Sequence, residues 1–197
     1  MRAKLRFSWL LLLLLINFLN ANYLFNDHLI SPKAANVIEN IAKELNDKSS
    51  INAYLIATND KIKRGVSVYD YIKKYNSNLK KPYVAIVFAP NSKRMHIIAS
   101  NKELLNSLDK DKILDYAIKI IASKDSNSLQ SKYDVGLVQA FSEMADEIAK
   151  AKGVELKNTI KERGTWVLKI INSLIIIGSL IVIWIYFISP IFRKRAK

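Results

Sequence analysis

The spacing of apolar and polar positions predicts a small α/β domain over residues 24–152. Apolar residues recur at helical spacing from 32 to about 46, directly after Ser31-Pro32, a pair typical of a helix start. Short apolar runs at 51–58 and 83–89 are typical of buried strands, and a turn at 90–93 leads into a third strand at 94–100. Between the first two strands, Ser67 and Asp70 are spaced like the start of a short helix that ends near residue 76.

Two further helices are predicted by apolar stripes at 113–121 and 137–148, with a polar loop at 123–132 between them. The order strand, helix, strand favours a parallel crossover, and the third strand then pairs back as an antiparallel hairpin. These features predict an α/β fold in which a small mixed β-sheet carries helices on both faces. Residues 153–166 are charged and weakly apolar, and we expect them to form a connector.

A long uncharged segment follows the connector. Residues 170–192 are mostly aliphatic or aromatic, and about 20 such residues are enough for a helix to cross the hydrocarbon core of a bilayer. We therefore predict a C-terminal transmembrane helix over 167–190. The basic residues of the tail at 191–197 then place the C-terminus in the cytoplasm by the positive-inside rule.

The first 22 residues are predicted to be either a signal peptide or an uncleaved signal anchor. A basic stretch at 1–6 precedes a leucine-rich run at 7–16, and Ala21 offers a small residue for cleavage. Either alternative exports the middle domain. We expect a bacterial inner-membrane protein with a periplasmic globular domain, crossing the membrane once or, if the anchor remains, twice.

The charge of the chain changes this picture little. Lys and Arg number 31 against 17 Asp and Glu, a formal net charge of +14, but much of the excess flanks the two apolar segments. Basic residues of the domain alternate with acids and form no contiguous patch with stacking aromatics, so no nucleic-acid partner is expected. The doublets Lys73-Lys74 and Lys80-Lys81 either contact anionic headgroups or are simply solvated.

Familiar catalytic motifs are absent from the sequence. The 5 glycines form no phosphate-binding loop, and the absence of cysteine excludes thiolate catalysis. His28 and His96 are the only histidines, and neither belongs to a zinc-binding helix motif. Spacing alone leaves Ser-His-Asp catalysis open, although the chain has no G-x-S-x-G turn.

Several short segments occur in a recognisable order. The segment NDHLIS at 26–31 precedes a helix and the strand INAYLIAT at 51–58. The strand YVAIVFAP at 83–90, the turn NSK at 91–93, the strand RMHIIAS at 94–100 and the segment YDVGLVQAF at 133–141 follow, and the apolar C-terminal segment completes the order. Over about residues 24–152 this order resembles the TPM-domain family, which includes bacterial membrane-anchored proteins and thylakoid-lumen proteins linked to photosystem repair.

The resemblance implies an α/β sandwich with an acidic cleft that binds a divalent metal ion. Matched residue by residue, the acids of that cleft are Asp27, Glu103 and Asp134. Converging carboxylates would bind Ca²⁺ or Mg²⁺ through their oxygens. The alternative interpretation is that these three residues cap helices or are solvated on the surface.

Two departures from the family pattern bring cations toward the implied cleft. Lys80-Lys81-Pro82 stands where the family usually has Asp-Asn-Gly, and Lys102 lies in place of a glycine-rich turn. Positive charges at these positions oppose a divalent ion electrostatically.

The sequence therefore leads to a hypothesis of a non-enzymatic accessory module that binds membrane-protein partners and assists their assembly, repair or quality control. The alternative is a divalent-metal-dependent acid phosphatase, an activity that the resemblance implies for some members. No catalytic residue is assigned, and Ca²⁺ or Mg²⁺ is the only cofactor expected.

Overall fold

Four strands and five helices make up the part of the chain that the computed structural model describes, residues 22–160 together with Trp184 alone. The strands are β1 (Leu24–Asn26), β2 (Asn52–Ala57), β3 (Tyr83–Ala89) and β4 (Arg94–Ala99). The helices are α1 (Pro32–Ser49), α2 (Val68–Ile72), α3 (Lys102–Asn106), α4 (Lys110–Ile121) and α5 (Leu129–Ala151), and short 3-10 turns occur at Lys73–Tyr75 and Pro90–Ser92. The predicted mixed α/β fold is confirmed.

The sheet has the order β1-β2-β3-β4. The pairs β1–β2 and β2–β3 are parallel, and β3–β4 is antiparallel, with Ile86 opposite Ile97. The predicted parallel pair and hairpin are both present. Strand β1 was not predicted, because three residues are too few to show an alternating pattern; parallel pairing with β2 defines this strand.

Helix α1 begins and ends as its sequence suggests. The Ser31 hydroxyl accepts a hydrogen bond from the Ala34 N–H at 3.3 Å, and Pro32 occupies the first turn. The helix continues to Ser49, three residues beyond the predicted end, and stops where Ser50 adopts a left-handed conformation with φ 56°. Its buried face consists of Ala34, Ile38, Ile41, Ala42 and Leu45.

Side chains of the two central strands are buried on both faces of the sheet. Phe88 of β3 packs on Tyr133 of α5, with ring centroids 4.9 Å apart. Phe25 of β1 points to the opposite face, because successive side chains of a strand alternate. There it packs on Tyr75 at 5.1 Å, in the turn that follows α2. The sheet is thus packed against helical segments on each of its faces.

Helix α5 starts earlier than predicted. The expected loop at 123–132 ends at Ser128, whose hydroxyl accepts the Ser131 N–H at 3.1 Å and starts the helix. The first turn of α5 escaped the pattern because Leu129 at its start is exposed. Gly136 then allows α4 and α5 to approach closely, since a Cβ at this position would lie 2.9 Å from Ile121 Cγ1.

After α5 the chain turns back along α1. The Glu44 carboxylate accepts hydrogen bonds from the backbone N–H groups of Lys157 and Asn158, each at 2.8 Å. Leu156 is buried in the core, and the Ile160 N–H donates to the hydroxyl of Ser142 at 2.6 Å. Residues 153–160 are therefore packed on the domain.

The predicted membrane segments lie outside the described residues, apart from Asn22 and Trp184. This applies to the signal segment at 1–22, the span at 167–190 and the tail at 191–197. Among the helices that the structure describes, none has both the length and the apolar character needed to cross a bilayer.

Candidate functional site

The carboxyl ends of β1, β2 and β3 meet at one edge of the sheet, because these strands run parallel. Open α/β sheets usually bind ligands at this edge, where loops leave the strands. We call it the carboxyl edge. Asp27 follows β1 directly, Thr58 and Asn59 follow β2, and the turn Pro90–Ser92 follows β3.

Asp27 joins the loops after β1 and β2. Its Oδ2 accepts hydrogen bonds from the Thr58 hydroxyl at 2.7 Å and from the Asn59 N–H at 3.0 Å. The Asn59 side-chain amide donates in turn to the Asp27 carbonyl at 2.8 Å. Asp27 is exposed, so its carboxylate fastens one loop to the other and still faces solvent.

Thr58 connects this pair to a second carboxylate. Its Oγ1 accepts a hydrogen bond from the Asp60 N–H at 3.1 Å. The Tyr71 hydroxyl lies 3.0 Å from the same Oγ1 and 2.9 Å from Asp60 Oδ2. A continuous polar network therefore runs from Asp27 through Thr58 to Asp60.

Lys74 closes the network with a positive charge. Its Nζ lies 2.5 Å from Asp60 Oδ2 and 4.2 Å from the centre of the Tyr71 ring. Partial burial lowers the pKa of Lys74, but the hydrogen bonds to Asp60 and Tyr71 outweigh that effect and raise it. The same hydrogen bond from Lys74 lowers the pKa of Asp60. Desolvation raises the pKa of Tyr71 to about 12, so its hydroxyl stays protonated at neutral pH.

Asp134 lies on α5 and holds the start of α1. Its Oδ1 accepts hydrogen bonds from the Ser31 N–H at 2.8 Å and from the Gln130 amide at 3.1 Å. Gln130 also donates to the Leu29 carbonyl at 2.8 Å. In the described structure Asp134 therefore positions the segment between β1 and α1.

Glu103 lies at the opposite edge of the sheet. It belongs to α3, which follows β4, and β4 runs antiparallel to the other strands. Strand β3 has 7 residues, and at about 3.3 Å per residue it separates the two edges by roughly 20 Å. Glu103 lines a cavity of about 390 Å³ with Ile51, Pro82 and Lys152, far from the carboxyl edge.

The three sequence-predicted acids are thus not gathered in one place. Within residues 22–160 no three His, Asp or Glu side chains are grouped so that they could hold a metal ion. Of the three, Asp27 faces solvent at the carboxyl edge. The hydroxyl of Thr58 links it to Asp60 by hydrogen bonds. The residues at this edge fit a divalent cation poorly, because the Asp60 carboxylate is already paired with the Lys74 ammonium, whose positive charge repels a metal ion.

A second feature, which the sequence reasoning missed, is an apolar groove between α1 and α5. It measures about 350 Å³ and is lined by Ser31, Lys33, Ala34, Val37, Asp134, Val135, Val138, Gln139 and Ile160. Val135 is 53% exposed and Ile160 is 46% exposed, so two large apolar side chains border one groove. Val135 lies outside the buried stripe of α5. An apolar residue outside that stripe is the one feature of the sequence that could have indicated an exposed apolar surface here.

Comparisons with known proteins give a weak structural likeness. No protein-family model matches the chain, and no curated protein matches it either. The BA42 protein of the psychrophilic bacterium Bizionia argentinensis, solved by NMR, is similar over 68% of this chain and 95% of its own, with 19% identity and a TM-score of 0.42. A likeness of this strength establishes neither a shared fold nor a shared function.

Proposed function

We propose that this protein is a membrane-tethered periplasmic binding module, TPM-like in fold, that recognises an apolar segment of a membrane protein. It would assist the assembly, repair or quality control of that partner and would itself carry out no chemistry. The observation that carries the proposal is the apolar groove between α1 and α5.

The groove differs from ordinary exposure of single apolar residues, which most proteins show. Val135 and Ile160 border the same concave surface, whose lining also includes the apolar residues Ala34, Val37 and Val138. Burial of such apolar area is the main driving force in most protein association. The rim residues Lys33, Asp134 and Gln139 are polar and can fix the orientation of a bound segment.

The position of Ile160 favours a partner that is itself in the membrane. Ile160 lines the groove and stands only a few residues before the predicted span at 167–190. A module tethered so close to a membrane meets membrane proteins at high effective concentration. An apolar segment of such a protein is therefore the occupant we propose.

The test is site-specific photo-crosslinking from Val135 in the full chain, expressed in cells. A benzophenone side chain replaces Val135, and a matched control carries it at Tyr116 of α4, which is 55% exposed but lies outside the groove. We expect the Val135 probe to give a product in which mass spectrometry maps the crosslink to an apolar segment of a membrane protein, and the Tyr116 probe to lack it. Identical products from both probes, or crosslinks only between copies of this chain, would contradict the proposal.

A metal-dependent acid phosphatase is the second candidate, favoured by the exposed position of Asp27 at the carboxyl edge. A ligand that binds only the native state stabilises it by about 2.7 kcal/mol at a hundred times its Kd. This candidate therefore predicts that Ca²⁺ or Mg²⁺ raises the melting midpoint of the full chain in mild detergent, and that EDTA reverses the rise.

The matched variants are Asp27→Asn and Asp47→Asn, the second an exposed acid on α1. The phosphatase candidate requires Asp27→Asn to abolish both the metal shift and EDTA-sensitive phosphate release, with Asp47→Asn behaving like the parent chain. No shift at millimolar metal would contradict it.

A further inference from the structure

Five basic residues from two separate segments meet at the carboxyl edge. The loop at 59–66 is fastened to the β3–β4 turn by three hydrogen bonds, each of 2.7 Å: from the Asn91 amide to the Asn59 carbonyl, from the Ile62 N–H to the Ser92 hydroxyl, and from Arg94 Nη1 to the Val66 carbonyl. This arrangement places the cations of the loop beside those of the turn. We call the resulting group the basic end surface; its residues are Lys61, Lys63, Arg64, Lys93 and Arg94.

None of these five cations forms an ion pair with another of the described residues. The doublet Lys73-Lys74, the first of the two named from the sequence, is different, because Lys73 pairs with Asp70 at 2.7 Å and Lys74 with Asp60 at 2.5 Å. Four of the five side chains are exposed, and Arg94 is partly so.

The backbone of the loop at 59–66 is anchored to the domain. Ile62, between Lys61 and Lys63, is only 6% exposed and anchors the loop in the domain. Gly65 has φ 87°, a conformation that residues with a Cβ rarely adopt, and it turns the chain toward Val66. The backbone that carries the three cations of the loop is therefore anchored, and none of the three forms an ion pair among the described residues.

The basic end surface lies at the end of the domain from which the chain continues. Helix α1 begins beside the carboxyl edge, because it follows β1 and runs back along the sheet. Ile160, the last residue of the continuous described stretch, lines the groove with Ala34 and Val37 near the start of that helix. The basic end surface and Ile160 therefore lie toward the same end of the described domain.

We propose that the basic end surface docks the domain onto the anionic phospholipid headgroups of the membrane to which the chain is predicted to be tethered. An anionic leaflet attracts basic residues near it strongly enough that each Lys or Arg strengthens the contact by about fivefold. Val66, which is 37% exposed beside Arg94, gives the surface an apolar side chain for the interface. Lipid docking does not require the groove to bind a partner, so the two ideas succeed or fail separately.

The test uses the full chain in lipid nanodiscs and a single fluorescent label. The sequence contains no cysteine, so Val66→Cys creates a unique labelling site at the basic end surface and Tyr116→Cys a unique site on α4. A trace lipid with a quenching headgroup reports the contact. We expect the label at 66 to be quenched more in discs with phosphatidylglycerol than in discs of phosphatidylcholine alone, and the difference to disappear near 1 M salt, where the screening length falls to about 3 Å. The label at 116 is expected to show no such difference.

Charge reversal provides the matched comparison. The triple variant Lys61→Glu, Lys63→Glu, Arg64→Glu is expected to weaken docking by about a hundredfold or more, enough to reduce quenching to the level seen with neutral lipid. The control, with the same change of net charge, reverses Lys43, Lys80 and Lys110, three exposed lysines toward the opposite end of the domain. Unchanged melting midpoints of both variants confirm that they are folded.

Equal loss of quenching in both triple variants, or none in either, would overturn the proposal. So would quenching that is the same in neutral and anionic discs. Retention on heparin by the basic end surface, without any response to lipid, would also overturn it and would identify an acidic polymer as the ligand instead.

Discussion

Two buried threonines have opposite hydrogen-bonding states in the described domain. Thr58 is 1% exposed, and its Oγ1 bonds Asp27 and the Asp60 N–H. Thr159 is 7% exposed, and its Oγ1 is buried with no partner among the described residues. A buried hydroxyl stabilises a fold only when it is bonded.

The threonine-to-valine pair tests this difference at constant shape. Thr58→Val leaves Asp27 and the Asp60 N–H without their shared partner, and we expect it to lower the free energy of unfolding by about 1–3 kcal/mol. Thr159→Val removes only an unpaired hydroxyl and is expected to leave stability unchanged or higher. Urea unfolding of the full chain in mild detergent, followed by the near-UV signal of its tyrosines, measures both. Equal losses in the two variants would contradict the assigned network.

At this scale the sequence predicted helix starts better than it predicted the site. Ser31 and Ser67 both cap helices as expected, because a capping residue and the N–H groups it bonds lie within one turn. The network from Asp27 to Lys74 joins residues that are far apart in the chain. Nothing in local spacing reveals that Tyr71 comes to lie on Thr58.

At the scale of elements, the segment at 153–160 depends on one side chain of α1. Glu44 accepts the Lys157 and Asn158 N–H groups and the Lys48 ammonium. We expect Glu44→Gln to speed hydrogen exchange of the Lys157 and Asn158 amides by about tenfold, since a bond to a charged acceptor contributes 1.5–3 kcal/mol. Asp47→Asn removes a carboxylate from the same helix and is expected to leave both amides unchanged.

The hydrogen bonds from the Lys157 and Asn158 N–H groups to Glu44 are expected to weaken in acid. Partial burial raises the pKa of Glu44, but the hydrogen bonds from Lys48 and from the Asn158 and Lys157 N–H groups outweigh it and lower the pKa below its ordinary value. A carboxylate with a lowered folded-state pKa contributes stability at pH above its unfolded pKa, and loses it as the pH falls through the folded value. Protection of the two amides, corrected for intrinsic exchange, should therefore fall as the pH drops below the ordinary pKa of a glutamate, and Glu44→Gln should lose this pH dependence. Protection that is constant into acid would contradict the role of Glu44.

Elements were predictable where one pattern ran long enough. Strand β3 has the predicted bounds, because seven apolar residues follow a proline and precede a turn. Strand β1 escaped prediction because it is three residues long and depends on its pairing with β2. The early start of α5 was not predicted because Leu129 is followed by three polar residues, so no apolar stripe marks the first turn.

For the whole molecule, the direction of the strands decides which residues can act together. Glu103 follows an antiparallel strand and therefore lies at the edge away from Asp27. The residues of the basic end surface, in contrast, are brought together by the fold. A loop after β2 and a turn after β3 place cations about 30 positions apart in the chain next to one another. The sequence showed each charge in an ordinary mixed stretch, and the tertiary hydrogen bonds that gather them were not visible in it.

Both proposed surfaces, the groove and the basic end surface, lie toward the end of the domain where the described chain reaches Ile160. This arrangement is what a tethered module needs if lipid and protein partner are approached from the same side. Of the two surfaces, the groove is the one that we propose to bind a membrane-protein partner.

The most direct test of this binding compares two aspartate substitutions. In both variants a benzophenone probe at Gln139, which lines the groove, reports crosslinking to the partner. Val135→Asp puts a carboxylate beside an apolar contact, and Ile118→Asp puts one at a site of similar exposure on α4, 53% against 46%. Because burying an unpaired charge against apolar surface is unfavourable by well over 1.4 kcal/mol, we predict at least a tenfold loss of crosslink with Val135→Asp. We predict no loss with Ile118→Asp. Equal crosslinking in both variants would show that the groove does not bind the partner.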